Sequence, residues 1–406
     1  MKNRPGGRLA VLASCVAIFW PGAFIFSFPG VMSLHWQQAL GVSRAATGQT
    51  LFFVLAAVGV FMFITGRWQE KVGPSRLVAL GALLCGASTI WVGYAGSMSW
   101  VYLWAFLMGT SSSLIYIPTL TVVQRWHPSR KGLVSGLVNL AFGLSAAVMS
   151  PVFSWMLTSM SYKGMTLLLG LVASGVGLVA SSYVGFPGSK ESVKTSTLSQ
   201  TLASQRSFTA RQSLRTRAFW LIWGTWAMAG AGGIAMVTLS TSYGLSKGLG
   251  LGDAVVLLTA FNLTNGVSRL VSGYLSDVIG RNRMMGTSFL CAACAYWLLP
   301  NLEGLLWWAV LAAVVGFAFG TLFAVSAPLV VDCFGMSHFG MIFGIVFTAY
   351  GFVAGALGPW LSGYILDLSG GRFESVFLYL GSFYLFSAVM IWFATPPRTR
   401  ACGVST

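Results

Sequence analysis

Gly273-Tyr-Leu-Ser-Asp277-Val-Ile-Gly280-Arg281-Asn-Arg283 repeats the spacing of Gly66-Arg-Trp-Gln-Glu70-Lys-Val-Gly73-Pro74-Ser-Arg76, 207 residues upstream. Both place glycine, acid, glycine and base in one order. The glycines suit a tight turn and a close helix contact, the acid suits a helix end, and the bases suit the cytosolic side of a membrane. One copy alone reads equally well as a charged loop between two spans. A second pair, Gly132-Leu-Val-Ser-Gly136 and Gly340-Met-Ile-Phe-Gly344, recurs at an offset of 208. Two matches at nearly one offset imply two related units.

Those units are hydrophobic. Of 406 residues 56% are apolar and 8% charged, against roughly 25% charged in soluble domains. Between charge clusters lie about twelve apolar stretches of about 20 residues, enough to cross hydrocarbon as helix. They are predicted near 9–31, 47–66, 77–97, 100–123, 133–158, 164–186, 218–240, 253–276, 285–303, 305–331, 341–364 and 374–395. The Ser/Thr-rich basic run between the sixth and seventh reads as a surface linker. The expected architecture is an all-α membrane protein of twelve transmembrane helices in two pseudo-symmetric six-helix bundles, 1–186 and 218–406, joined by a cytoplasmic linker, 187–217.

The formal charge of +16 does not point to nucleic acid, because Lys and Arg crowd loops on one side of the zigzag. The termini, the even-numbered connections and the linker hold Lys2, Arg4, Arg8, Arg67, Lys71, Arg76, Arg125, Arg130, Lys131, Lys190, Lys194, Arg206, Arg211, Arg215, Arg217, Arg281, Arg283, Arg398 and Arg400. The other side holds Arg44, Lys163, Lys247 and Arg372. Both termini are therefore expected in the cytoplasm of a multi-pass plasma (bacterial inner) membrane protein. The N-terminal apolar run is too long for a signal peptide and lacks a cleavage site, so it reads as a retained helix. Six scattered cysteines form neither a disulfide framework nor a metal cluster, and Cys291-x-x-Cys294 falls inside a predicted span. No glycine loop has the Lys-Ser/Thr partner that cradles phosphate, and Asn262-Leu-Thr is a glycosylation pattern inside a span. No cofactor, metal or enzymatic constellation is expected, and the chain is read as a monomer.

The single ionisable residue deep within a span is Arg269, while all eight acids fall in loops or near helix ends. An Arg at mid-bilayer costs ~2.5–3.5 kcal/mol on insertion scales, so it is expected to face a wet cavity and hold a partner. Asn262, Asn265, Arg269 and Ser276 share one helical face, opposite Val256, Leu263, Val267, Leu270, Val271 and Leu275. A guanidinium matches a carboxylate in bidentate fashion, and no acid lies at its depth. The expected counter-ion is an anionic substrate. The competing account has Arg269 bonding backbone carbonyls or snorkelling, a strained reach over the roughly 12 Å to Asp277.

The loop repeat resembles the signature of the major facilitator superfamily after its second and eighth helices. The first copy departs at Pro74, which implies a weaker charge network there. Arg125-Trp-His-Pro-Ser-Arg130-Lys131-Gly132-Leu-Val-Ser-Gly136, Leu214-Arg-Thr-Arg-Ala-Phe-Trp220 and Asn265-Gly-Val-Ser-Arg269 resemble motifs of its monocarboxylate transporter and oxalate/formate antiporter branch. The resemblance implies that Arg269 binds substrate. It also nominates Tyr116, with Phe319, Phe323 and Phe343 as aromatic walls that would select a small organic acid. It implies conformational gating by the loop residues Gly66, Glu70, Arg76, Gly273, Asp277, Arg281 and Arg283. Oxalate exchangers carry a lysine in the eleventh helix that Gly344-Ile-Val-Phe-Thr348 lacks, so a second carboxylate would enter uncompensated. Animal relatives carry an aspartate and a lysine where Asn265 and Gly30 resemble their positions.

The resulting expectation is a secondary active transporter of a small monocarboxylate, of lactate, pyruvate or formate type, proton-linked or exchanging. Alternatives on the same fold are an oxalate/formate-type anion exchanger and an exporter of amphiphilic drugs. A proton could ride on the substrate, use Asp253 or Asp332, or be uncoupled. Gln49, Asn139, Ser112, Ser113, Thr119 and Thr348 are expected to pair helices by hydrogen bonds.

Overall fold

The computed structural model describes residues 6–127, 131–187, 208–335 and 338–397, leaving aside the side chains of Phe63, Lys131, Gly132, Phe339 and Gly340. Lys2, Arg4, Arg130, Lys190, Lys194, Arg206, Arg398, Arg400 and most of the expected linker lie outside these residues. The described residues are helical and traverse the molecule twelve times. Eleven stretches are long and apolar enough to cross a membrane. The first bundle comprises α1 Gly7–Phe26, α2 Phe28–Leu40, α3 Arg44–Val72, α4 Pro74–Val92, α5 Met98–Trp126, α6 Lys131–Ser159 and α7 Tyr162–Ser181. A short α8, Ala210–Ser213, leads into the second bundle. That bundle comprises α9 Arg217–Ser246, α10 Leu251–Ile279, α11 Arg281–Leu298, α12 Leu305–Phe334, α13 Phe339–Thr348, α14 Leu361–Leu368 and α15 Phe373–Trp392. Helix α11, with a polar first turn and many small residues, makes the remaining traverse.

The first span is longer than predicted and broken. Pro29 has no N–H, and its ring opposes the carbonyl of Ile25, so α1 stops at Phe26 and α2 restarts with Pro29 in its first turn. The second break lies between α13 and α14, where π-helical turns Ala349–Ala354 and Ala356–Trp360 replace the α-helix. Gly351, Gly355 and Gly358 let this segment touch backbone. A Cβ at Gly351 would lie 3.1 Å from Gly59 Cα, and one at Gly355 2.9 Å from Phe52 Cα. Cys291 and Cys294 are exposed, unpaired and set on the outer surface of α11.

An even number of traverses puts the start of α1 and the end of α15 on one side. One set of contacts between the bundles lies on the opposite, far side. There the N-terminus of α3 leaves backbone N–H groups unpaired within the helix; the Ser43 hydroxyl accepts from Ala46 N–H, and Asp367 at the end of α14 accepts from two others. Arg44 N–H donates to its Oδ1 at 3.1 Å and Ala45 N–H to its Oδ2 at 2.9 Å. Nearby, Gly30 abuts the Val237 carbonyl and Gly48 the Pro359 carbonyl so closely that neither has room for a Cβ. On the terminal side, the ion pairs among the described residues stay within one bundle. Removing the Asp367 carboxylate should weaken the far-side seam by about 1.5–3 kcal/mol, the range for hydrogen bonds to a charged group. Asp367→Ala should therefore raise thiol labelling of a cysteine placed at buried Thr241, one turn beyond Val237, by roughly tenfold or more. Unchanged labelling would show that the cap does not hold the seam.

Candidate functional site

Helix α10 lies against α12 of its own bundle and α6 of the other. Its polar face turns inward: Asn262, Asn265, Ser268, Arg269, Ser272 and Ser276 are buried, whereas Leu263 is 49% and Val267 41% exposed on the outer face. The helices cross tightly at two glycines, where a Cβ on Gly143 would lie 2.7 Å from Gly266 Cα and 3.4 Å from Arg269 Nε. Arg269 thus sits in the seam between bundles.

Its side chain is 5% exposed and is the one buried charge among the described residues. The guanidinium carbon stands 4.6 Å from the Phe323 ring centre and 5.6 Å from that of Phe142. Nε, Nη1 and Nη2 have no hydrogen-bond partner among the described protein groups. It neither snorkels to Asp277, whose carboxylate pairs with Arg281 at 2.9 Å, nor bonds backbone carbonyls. A fork of donors between aromatic faces suits a bidentate carboxylate in a site where water screens little.

The other predicted residues occupy distinct places. Asn265 is fully buried with both amide atoms unpartnered. Asn262 donates through Nδ2 to the Phe26 carbonyl at 3.0 Å, tying α10 to the end of α1, and only its Oδ1 is unpartnered. Tyr116 donates to Asn139 Oδ1 at 2.6 Å, and its ring is 5.5 Å from Phe142. Phe323 faces Arg269 directly. Phe319 packs between Phe26, at 6.1 Å, and Phe323, at 5.2 Å. Phe343 stands with Trp226, at 6.3 Å, and Phe347, at 5.3 Å.

Three residues escape the sequence reading: Phe142, Trp226 and Tyr350. Phe142 lies one turn from Asn139 on α6, a spacing that places both on one face. Trp226 and Tyr350 are buried with Nε1 and the hydroxyl unpartnered. A Trp away from the membrane interfaces, where that residue gathers, is the available signal.

Asn139 joins α5 to α6 through Tyr116, and Thr348 accepts from Trp223 Nε1 of α9 at 3.2 Å, as expected of helix-pairing groups. Ser113 and Thr119 do otherwise. Their hydroxyls donate to Gly109 and Ile115 carbonyls of their own helix, the back-bond that a short hydroxyl in a helix reaches most easily.

The paired loops share their turn geometry. Gly73 and Gly280 take φ of +91° and +95°, where a side chain would be strained. In the second loop Arg281 bonds Asp277, Asp332 at 2.5 Å and Ser276 Oγ at 3.3 Å. Pro74 occupies the position of Arg281 in the first, so no arginine bridges two carboxylates from that position, and Glu70 pairs with Arg125. Arg76 and Arg283 form no ion pair among the described residues. Gly66 and Gly273 correct an expectation of close contact: a Cβ at either would meet nothing within 4 Å.

The Major Facilitator Superfamily profile matches residues 12–258 and 252–403. The oxalate:formate antiporter of Oxalobacter formigenes is 26% identical over 316 residues, 77% of this chain and 74% of that one. Monocarboxylate transporter 13 of Rattus norvegicus is 26% identical over 415 residues, 98% of this chain and 90% of that one. Human monocarboxylate transporter 11 is 27% identical over 396 residues, 93% and 79% of the two chains. Among solved structures, a bacterial homolog of the human lysosomal transporter Spinster, inward-facing and occupied, superposes with a TM-score of 0.72. It covers 96% of both chains at 12% identity, a likeness of fold alone. The profile spans both bundles and the seam that holds Arg269: the chain is a multi-pass membrane transporter and belongs to the major facilitator superfamily.

Proposed function

We propose that this transporter carries a small monocarboxylate, of lactate, pyruvate or formate type, by alternating access. The supporting observation is Arg269: buried in the seam, walled by Phe142 and Phe323, and without a partner among the described residues for any guanidinium nitrogen. An incoming carboxylate supplies the missing charge and hydrogen bonds, and leaving with it restores the unpaired state. Asn265 adds a donor and an acceptor beside it. Asn262, Tyr116, Phe319 and Phe343 hold and line the same region. With one buried cation among the described residues, a dicarboxylate would bring a charge the site does not answer.

The bundles, 1–186 and 218–406 with linker 187–217, rock about this seam as two units. The paired loops, Gly66 to Arg76 and Gly273 to Arg283, set the terminal-side limits of the motion. Both termini face the cytoplasm of a bacterial inner membrane, in keeping with the basic residues on their side. The protein works as a monomer, without a cofactor. Coupling to protons has no buried acid to use among the described residues, so the proton accompanies the acid substrate or transport proceeds by exchange.

A substrate-competition screen in proteoliposomes, with and without an imposed pH gradient, tests identity and coupling together. The expected outcome is saturable uptake of a labelled monocarboxylate, inhibited by other small monocarboxylates and only weakly by oxalate. Uptake driven by the gradient supports symport, and uptake that needs internal acid supports exchange. No acid transported, together with export of lipophilic cations, would contradict the proposal.

A further inference from the structure

We propose that a surface cavity between the start of α9 and the end of α15 holds the phosphate headgroup of an anionic phospholipid, whose acyl chains lie along the outer face of α15. The cavity is remote in sequence from Arg269 and lies on the terminal side of the second bundle.

The cavity has a volume of about 390 Å³ and is lined by Arg217 of α9 and by Trp392, Phe393, Thr395, Pro396 and Pro397 at and beyond the end of α15. Its walls are fixed by hydrogen bonds. Asn282 Nδ2 donates to the Ile391 carbonyl at 2.7 Å and the Ala394 carbonyl at 2.8 Å, which holds the chain leaving α15. Trp220 Nε1 donates to the Leu214 carbonyl at 2.9 Å, which folds the chain entering α9 against its first turn. Two turns into the span the helices close on each other, since a Cβ at Gly224 would lie 2.9 Å from Met390 Sδ. Trp220 and Trp392 are exposed at the ends of spanning helices, the level at which tryptophans gather along a membrane interface. From there Phe386, Val389 and Phe393, exposed and spaced three and four residues apart, form one apolar track along α15.

The chemistry narrows the occupant. The Arg217 guanidinium carbon stands 6.0 Å from the Phe393 ring centre, and the residue forms no ion pair among the described residues. No acid lines the cavity. The adjoining cavity, which shares Pro396, holds Asp277 and Asp332, but Arg281 answers both. A guanidinium fork matches phosphate oxygens, and the Thr395 hydroxyl adds a donor beside it. An anionic headgroup therefore brings the charge the cavity lacks. Phosphatidylethanolamine would also bring an ammonium, which no carboxylate in the wall receives. Free phosphate offers the same oxygens, and the apolar track favours the form that carries acyl chains.

The test is native mass spectrometry of the purified full-length protein in detergent, titrated with phosphatidylglycerol or phosphatidylethanolamine. The wild type should bind a first phosphatidylglycerol about fivefold more tightly than phosphatidylethanolamine, and Arg217→Gln should weaken that first binding by about fivefold, the worth of one base near an anionic surface. Arg217→Lys, which keeps the charge, should retain the preference for the anionic lipid. Arg215→Gln removes an exposed base that does not line the cavity and should leave the first binding within about twofold of the wild type. Thermal unfolding of each variant verifies the fold. Equal affinity of the wild type for the two lipids, wild-type binding by Arg217→Gln, or an equal loss in Arg215→Gln and Arg217→Gln would overturn the inference. Displacement of the bound lipid by an equal concentration of inorganic phosphate would assign the cavity to a soluble anion and overturn it as well.

Discussion

Arg269→Ala should lower the initial rate of labelled lactate or formate uptake in proteoliposomes at least about 30-fold, with expression and thermal stability near normal. The magnitude follows from the site: truncating one partner of a buried hydrogen-bonded charge pair costs about 2–5 kcal/mol, a factor of roughly 30 to several thousand. Stability should not fall, because the described residues supply no partner that the substitution would orphan. It also removes a group that costs ~2.5–3.5 kcal/mol at mid-bilayer. A structural role predicts the reverse, lost folding with activity surviving in proportion to the protein recovered. Arg269→Lys should also reduce uptake, by about tenfold or more, since an ammonium keeps the charge and loses the planar fork.

Gly30→Ala should reduce net uptake by about 100-fold and shift the protein away from the conformation seen here. A Cβ at Gly30 would overlap the Val237 carbonyl oxygen of α9 and lie 2.9 Å from Leu258 Cδ2 of α10, so the far-side seam could not close. Backbone cannot move aside as the end of a flexible side chain can. The protein should still fold, because the obstructed contact lies between bundles, and a cysteine at Thr241 should become fully reactive to a soluble thiol reagent. Gly175, where a Cβ would meet nothing within 4 Å, provides the control. Normal uptake by Gly30→Ala would mean that this seam does not close during transport.

Much of the architecture could be read from local pattern. The paired loops and their common offset predict two bundles, and both loops do turn on a positive-φ glycine. The polar face of α10 is legible because helical spacing alone places Asn262, Asn265 and Arg269 together, and all three are buried. Pro74 in place of Arg281's counterpart shows in the sequence that the first loop lacks the arginine that pairs with Asp277 and Asp332 in the second. Other features depend on contacts between distant segments. The break at Pro29 is hidden because a first-turn proline and a mid-span proline look alike in an apolar run, and Pro21 is carried within α1 without a break. Phe142, Trp226 and Tyr350 are masked by composition: in a chain with 29 Phe, 16 Trp and 12 Tyr, a cavity wall and ordinary packing share one vocabulary. The cap that Asp367 places on α3 joins residues more than 300 positions apart, beyond the reach of any periodicity.

The most direct measurement is an experimental structure of the protein with a transported acid bound. One carboxylate should bridge Arg269 at about 2.7–2.9 Å from its nitrogens, the range of charge-assisted bonds, between the rings of Phe142 and Phe323. A guanidinium bonded instead to a protein carboxylate or to backbone carbonyls, with the acid lodged elsewhere, would contradict it.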